Sequence, residues 1–489
     1  MFEIKTSIKE DPLYPIANPR NLVLFGASNR PDSMGTNHLY SLLDHGFEGP
    51  IYPVHPKENP VMGLKAYRSV QDLPVVPDLA LIVLPTHAVL EVLEECGKAG
   101  IRHAIIVSGG FREVGGEGVT LEKRLIELAS KYGIRILGPN CIGVSNPHHN
   151  LNTTFFQFDG LPGYVGLASQ SGSFVTQMFH HLATFGMGFS TAISVGNEAN
   201  TDIIDAMAYL GACPRTRVIA LYVEAINRGR AFLETARAII PHKPIVVFYS
   251  GGSEPGKRAS FSHTGAMAGS DQIYDGVFRQ SGIIRANSIT ELFDFCWVLG
   301  SQPRARGSRV VIETQSGGPG AAAADACGRF GLQLPSLSPE TIEKLTPIVP
   351  HTGSVSNPVD MTFFKEVSHY FYDLPKILLQ DNEVDMLVIY FLLPTQVVEQ
   401  TLSRTGLPRE KVLIESRKLI DDQAESVARV AASSGKPLVG YTFRGFGENL
   451  IKGLVDRGVP VFPDPQRAVR ALKALVDHTH ARGRILSVG

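Results

Sequence analysis

Cysteine is scarce in this chain. Five stand among 489 residues (Cys96, Cys141, Cys213, Cys296 and Cys327), widely spread and never as C-x-x-C. That excludes a disulfide framework and a cysteine-based zinc site, and it fits a reducing compartment, the cytoplasm by default. Neither sign of charge is in excess: 46 Lys+Arg against 47 Asp+Glu leave a net charge of -1. Nothing therefore draws the chain to nucleic acid or to an anionic membrane surface. No apolar run approaches the roughly 18 residues that a membrane-spanning helix needs. The opening residues, MFEIKTSIKEDPLYP, lack the apolar stretch of a secretory signal.

What is present is an ordinary globular composition, 44% hydrophobic and 19% charged, over a length that suggests about three domains. Apolar strand-like runs alternate with helix-period segments nearly end to end, the pattern of parallel α/β sheets. NLVLF, PIYPV, LALIVLP, HAIIVSG and IRILG read as the strands of a first block. YVGLAS, STAISVG, VIALYVE, PIVVFYS and GIIRA read as a second, and RVVIETQ, VDMLVIYFL, KPLVGYTF and PVFPD as a third. The runs are continuously apolar, as strands covered on both faces must be. The polar stretch GSQPRARGSR reads as a linker before the third block. The expected fold class is α/β: three doubly wound parallel-sheet domains at 1–148, 149–302 and 303–489.

Each block opens with a strand, a small-residue turn and a helix. The turns are GASNRPDSMG (26–35), ASQSGS (168–173) and TQSGGPG (314–320). Helix N-termini at the carboxyl ends of such strands point unpaired N–H groups outward, so all three are candidate anion cradles. Two look-alikes carry nothing. GGSEPGK (251–257) is followed by Arg258, so it lacks the hydroxyl that holds Mg²⁺ in a P-loop, and GPGAAA (318–323) is a weak dinucleotide pattern.

In KRASFSHTGAMAGSD one histidine, His263, sits in an open, glycine-rich turn between a strand and a helical segment. A neutral imidazole can attack phosphorus near physiological pH, given a carboxylate to orient it and N–H donors for the phosphoryl oxygens. Glu224 closes the strand VIALYVE and Glu198 follows STAISVG, both at carboxyl ends of the same block.

The motifs GPNCIGV (138–144), GLASQSGS (166–173), SVGNEAN (194–200), SHTGAMAG (262–269), GGPG (317–320) and NPVDMT (357–362) occur together. In this combination the chain resembles the α-subunit type of nucleoside-diphosphate-forming acyl-CoA synthetases, relatives of succinyl-CoA synthetase. The nearest branch is the ADP-forming acetyl-CoA synthetases. The resemblance implies a Rossmann-like CoA-binding domain followed by two flavodoxin-like ligase domains. It implies that His263 carries a phosphoryl group and that Glu224 orients it. Ser171, Gly172 and Ser173 would begin the helix facing that group, with Asn140 beside them and Cys141 bordering the thioester without acting as nucleophile. Coenzyme A would be met by Gly26, Ala27, Ser28, Gly35, Lys57, Ser108, Gly109 and Gly110.

Thr176 stands where the succinate enzymes carry tyrosine, which argues against succinate. Three α/β blocks use up the length and leave no ATP-grasp region. ADP or ATP with Mg²⁺ is therefore expected on a separate ATP-grasp β-type subunit, in a hetero-oligomer or around a homodimer of this chain. The expected reaction interconverts acyl-CoA, phosphate and nucleoside diphosphate with carboxylic acid, CoA and nucleoside triphosphate. Rival expectations are CoA-dependent acyl or carbamoyl transfer without triphosphate formation, and a non-catalytic CoA-binding protein.

Overall fold

The computed structural model describes residues 7–156, 160–256, 270–362 and 366–488. The first sheet contains β1 (Leu22–Phe25), β2 (Ile51–Val54), β3 (Leu79–Ile82), β4 (His103–Ile106) and β5 (Arg135–Leu137). All pairings are parallel and the order is β2-β1-β3-β4-β5. The continuous apolar runs are explained by burial on two sides. Leu22 and Leu24 enter one hydrophobic cluster while Val23 and Phe25 enter another, as alternation along a strand requires.

The second sheet holds β6 (Val144–Asn146), β7 (Leu151–Asn152), β8 (Pro162–Ser169), β9 (Phe189–Ser194), β10 (Val218–Val223), β11 (Ile245–Tyr249) and β12 (Ile284–Ala286), in the order β12-β11-β10-β8-β9-β6-β7. Strands β8 to β12 run parallel, and the β6–β7 hairpin joins antiparallel to β9. This hairpin is a departure from expectation. The break expected between 148 and 149 cuts it, because strands of three and two residues carry no apolar run long enough to read. The third sheet holds β13 (Val310–Thr314), β14 (Val359–Asp360), β15 (Met386–Tyr390), β16 (Leu438–Tyr441) and β17 (Val461–Phe462), all parallel, in the order β14-β13-β15-β16-β17.

Counted from its own opening βα strand, each sheet thus has the same order, 2-1-3-4-5. In open sheets of this kind ligands gather at the carboxyl ends where the order reverses. The chain divides into two compact units. One comprises Met1–Ala183, Met187–Leu292 and Ile485–Gly489 and contains the first two sheets. The other comprises Thr184–Gly186 and Phe293–Arg484 and contains the third. Within the second unit the expected linker is a packed strap. Ala305 is 2% exposed, its carbonyl accepts from Thr479 Oγ1 at 3.0 Å, and Gln302 Oε1 accepts from the Leu438 amide at 3.0 Å. Polar composition misreads it because these polar groups find partners inside the unit.

Candidate functional site

The turn after β8 is tightened by its own side chains. Ser169 Oγ donates to the Ser171 carbonyl at 2.7 Å and accepts from the Ser171 amide at 3.1 Å. The helix Gly172–Thr184 therefore starts directly at the strand end, where the first amides of any helix lack intrahelical partners. A Cβ on Gly172 would stand 2.9 Å from Ile142 Cγ2, so only glycine lets this helix start approach the GPNCIGV loop. Ser171 Oγ and Ser173 Oγ lie 3.4 Å apart, and Thr176 Oγ1 donates to the Ser173 carbonyl at 3.0 Å.

Between Ser169 and Ser171 sits Gln170, 7% exposed, which sequence reasoning passed over. Its Oε1 accepts from the Glu224 amide at 2.6 Å and the Ala225 amide at 3.0 Å. Its Nε2 donates to the Ala225 carbonyl at 2.8 Å and to Glu198 Oε1 at 3.0 Å. One primary amide thus clamps the ends of β8 and β10 and reaches the loop after β9. Glu224 is buried at 6% exposure on the clamped end of β10. Glu198 has a left-handed backbone (φ 58°), and its Oε1 also accepts from the Ile203 amide at 2.9 Å. Burial pushes the Glu198 carboxyl up to about 7, against the pull of its hydrogen bonds from Gln170 and Ile203.

The loop after β9 is laced to the loop after β5. The Asn197 amide donates to the Pro139 carbonyl at 2.8 Å and the Ala199 amide to the Gly138 carbonyl at 3.0 Å. Gly196 makes this approach with φ 57°; a Cβ there would lie 2.3 Å from the Pro139 carbonyl oxygen. Asn140 Nδ2 donates to Asn197 Oδ1 at 3.3 Å, and Asn197 Nδ2 donates to Glu113 Oε2 at 2.6 Å and Glu122 Oε2 at 2.9 Å. Burial holds the Glu122 carboxyl above its ordinary range, opposed by the Asn197 hydrogen bond and by Arg112. The Asn140 amide donates to the Ser108 carbonyl at 2.9 Å, and Ser108 Oγ donates to the Leu84 carbonyl at 2.5 Å. The Gly110 amide donates to Glu113 Oε1 at 2.5 Å, and Gly109 lies beside Asn140 Oδ1. Cys141 is buried, and desolvation pushes its thiol up to about 12, which disfavours the nucleophilic thiolate at neutral pH.

At β1, Gly26 (φ 99°) and Gly35 serve the turn itself. A Cβ on Gly26 would fall 1.9 Å from the Val83 carbonyl oxygen, and one on Gly35 would fall 2.3 Å from Gly26. Ala27 is fully buried. The Ser28 amide donates to Thr36 Oγ1 at 3.1 Å, while Ser33 caps the helix Met34–Asp44. Lys57 is exposed beyond the end of β2, its amide donating to His55 Nδ1 at 3.2 Å.

These strand ends form one file within the first unit. From Lys57 after β2 it passes Gly26, then Leu84, Ser108 and Asn140 on the first sheet, and continues through Asn197, Glu198, Gln170 and Glu224 on the second. The joins at Leu84–Ser108, Ser108–Asn140, Asn140–Asn197, Glu198–Gln170 and Gln170–Glu224 are the hydrogen bonds given above. His263 lies outside the described residues, together with the rest of 257–269. On its C-terminal side the helix Asp271–Ser281 carries Tyr274, whose hydroxyl accepts from the Ile226 amide at 2.9 Å, two residues beyond Glu224. The third sheet repeats the β8 turn. Thr314 Oγ1 donates to the Ser316 carbonyl at 2.8 Å and Gln315 Nε2 to the Leu392 carbonyl at 2.9 Å. There Phe391 precedes the bridged carbonyl, where the second sheet has Glu224.

No group of three or more His, Cys, Asp or Glu among the described residues is arranged to hold a metal ion. No helix among them is long and apolar enough to cross a membrane.

Known proteins resemble the chain over nearly its whole length. A CoA binding domain matches residues 20–147, a succinyl-CoA ligase like flavodoxin domain 162–299, and a ligase-CoA domain 310–404. The α subunit of ADP-forming acetate–CoA ligase II of Pyrococcus furiosus is 39% identical over 463 residues, 94% of this chain and 96% of that one. The ADP-forming acetate–CoA ligase I of Archaeoglobus fulgidus is 36% identical across 94% of this chain, but the match takes in only 62% of its own length. Among solved structures, the dinucleotide forming acetyl-coenzyme A synthetase 1 of Ca. Korarchaeum cryptofilum, in complex with phosphate and ADP, matches with a TM-score of 0.86 at 32% identity. That match covers 97% of this chain and 98% of the other.

Proposed function

The chain belongs to the succinyl-CoA ligase-like family of ADP-forming acyl-CoA synthetases, and we propose that it works as the α-type subunit of such an enzyme. Inorganic phosphate attacks the carbonyl carbon of an acyl-CoA, the carbon–sulfur bond breaks, and the thiolate leaves as CoA and takes up a proton. An imidazole nitrogen of His263 then attacks phosphorus in the acyl phosphate and displaces the carboxylate. The phosphohistidine finally gives its phosphoryl group to ADP. Every step reverses, so the same residues serve acid activation.

The observation that carries this reading is the file of strand ends. It joins the sheet of CoA-binding type to a clamped, buried glutamate without a break. Coenzyme A would lie along the first-sheet part, with Lys57 near its phosphates and Ser108, Gly109, Gly110 and Asn140 near the thioester. Ser171, Gly172 and Ser173 would offer helix-start amides to the phosphoryl oxygens, since a helix N-terminus carries roughly half a positive charge. Glu224 would orient His263. In this reading the ADP, ATP and Mg²⁺ belong to an ATP-grasp β-type subunit. The Archaeoglobus relative, with over a third of its length beyond the match, is long enough to hold such a part in the same polypeptide.

The test is phosphorylation by an acyl phosphate, or by acyl-CoA with radiolabelled phosphate. Acid-labile, base-stable label is expected on the unaltered chain and none on His263→Ala. Glu224→Gln should keep CoA binding and slow labelling by about 10²-fold or more, the usual worth of a positioned acid–base group. CoA binding without label on the unaltered chain would refute the reading.

A further inference from the structure

Glu198 is an unusual choice for its place. A left-handed backbone favours glycine or asparagine, so a glutamate at φ 58° directs attention to what its side chain does. That side chain turns inward to Gln170 Nε2 and the Ile203 amide, and Asn227 Nδ2 stands 3.5 Å from its Oε2. Gln170 in turn holds the backbone amide of Glu224. The carboxyl of Glu198 is thus one amide away from the strand end that carries the orienting glutamate.

We propose that Glu198 is a positioning residue for phosphoryl transfer, whose ionisation tightens the Gln170 clamp on the Glu224 strand end. This rests on the function proposed above. A charged acceptor strengthens the hydrogen bond from Gln170 relative to a neutral one, so the ionised form holds the amide in its clamping orientation. The surrounding charges leave Glu198 free to titrate. On its C-terminal side Asp202 and Asp205 form the capping box of the helix Ile203–Ala212, and both are engaged by Arg228 from the loop after β10. Asp205 also pairs with Arg135 of β5 at 2.8 Å. Arg112 approaches from the first sheet's side but is held by Glu122 at 3.5 Å. Glu224 stands beyond Gln170. Burial and the like charge of Asp202 oppose the Gln170 and Ile203 hydrogen bonds and the Arg112 charge, bringing Glu198 to about 7.

The experiment compares His263 phosphorylation by acetyl phosphate in the unaltered chain, Glu198→Gln and Gln170→Leu. Taking rate ratios at each pH cancels the titration of His263 and of the substrate. The ratio of unaltered to Glu198→Gln should rise about 3–10-fold as pH climbs through neutrality, the size of coupling expected for groups in one hydrogen-bond network. The change should fall on the limiting rate of labelling at saturating acetyl phosphate, with CoA affinity unaltered. In the Gln170→Leu background, Glu198→Gln should add no further pH dependence. A ratio that is flat with pH, in a variant that binds CoA normally, would overturn the proposal and leave the phosphohistidine reading intact. Absence of label on the unaltered chain would remove both. If Glu198→Gln fails to bind CoA, Gln170→Leu decides alone: a flat ratio to the unaltered chain overturns the proposal.

Discussion

His38 lies fully buried on the helix Met34–Asp44, and its Nδ1 donates to the Thr153 carbonyl at 2.7 Å. Its Nε2 has no partner among the described residues. Desolvation lowers the imidazole to about 4, only partly offset by the Thr153 carbonyl. The folded value is depressed below the unfolded one of about 6.5, so the stabilisation is present above about 6.5 and is lost as pH falls toward 4. We expect the chain to lose on the order of 3 kcal/mol across that window from this residue. Urea unfolding of the first unit at successive pH values checks it. His38→Gln should flatten the acid limb, and an unchanged limb would remove His38 as its cause. Glu313 has the opposite sign. Fully buried in β13, with neither carboxyl oxygen partnered among the described residues, it is pushed well above the carboxylate range by desolvation. Its neutral form stabilises the second unit at low pH, and that contribution fades as pH rises.

At the scale of elements, the joint between the β5 and β9 loops depends on Gly196. Gly196→Ala would set a Cβ 2.3 Å from the Pro139 carbonyl oxygen and 2.7 Å from that of Asn140, at a φ of 57°. Neither contact can relax without parting the two loops, so a loss of about 2–4 kcal/mol is expected. CoA affinity should fall with it. Denaturant midpoints near the unaltered value would mean the loops separate freely. Strands were legible in the sequence wherever both faces are covered: runs such as NLVLF and VIALYVE coincide with β1 and β10. The hairpin β6–β7 and the two-residue β14 were not, because strands of two or three residues carry no apolar run long enough to read. Glu224 and Glu198 could be picked out as strand-end carboxylates. Gln170 and Asn197 could not, since Gln170 bridges strand ends brought together only by the order of the second sheet, and Asn197 reaches across to loops of the first. In ASQSGS the glutamine reads only as a polar turn residue. The role given to His263 comes from its motif alone, as it lies outside the described residues.

At the scale of the molecule, three sheets of one strand order supply one complete set of candidate groups. The second sheet pairs the serine–glutamine turn with Glu224, whereas the third repeats the turn and carries Phe391 instead. The proposed division of labour makes a plain prediction. The purified chain alone should form no ATP from acyl-CoA, ADP and phosphate, and adding an ATP-grasp subunit should restore it. Robust ATP formation by the single polypeptide would show a nucleotide site within it. The Gln170 bridge has a kinetic corollary. It is made wholly of the chain's own groups, so the conformational entropy of shaping the cradle is lost when the chain folds and not when substrate arrives. Capture should then run at the pace of an ordinary encounter, with little backbone rearrangement along this edge between the empty and loaded forms.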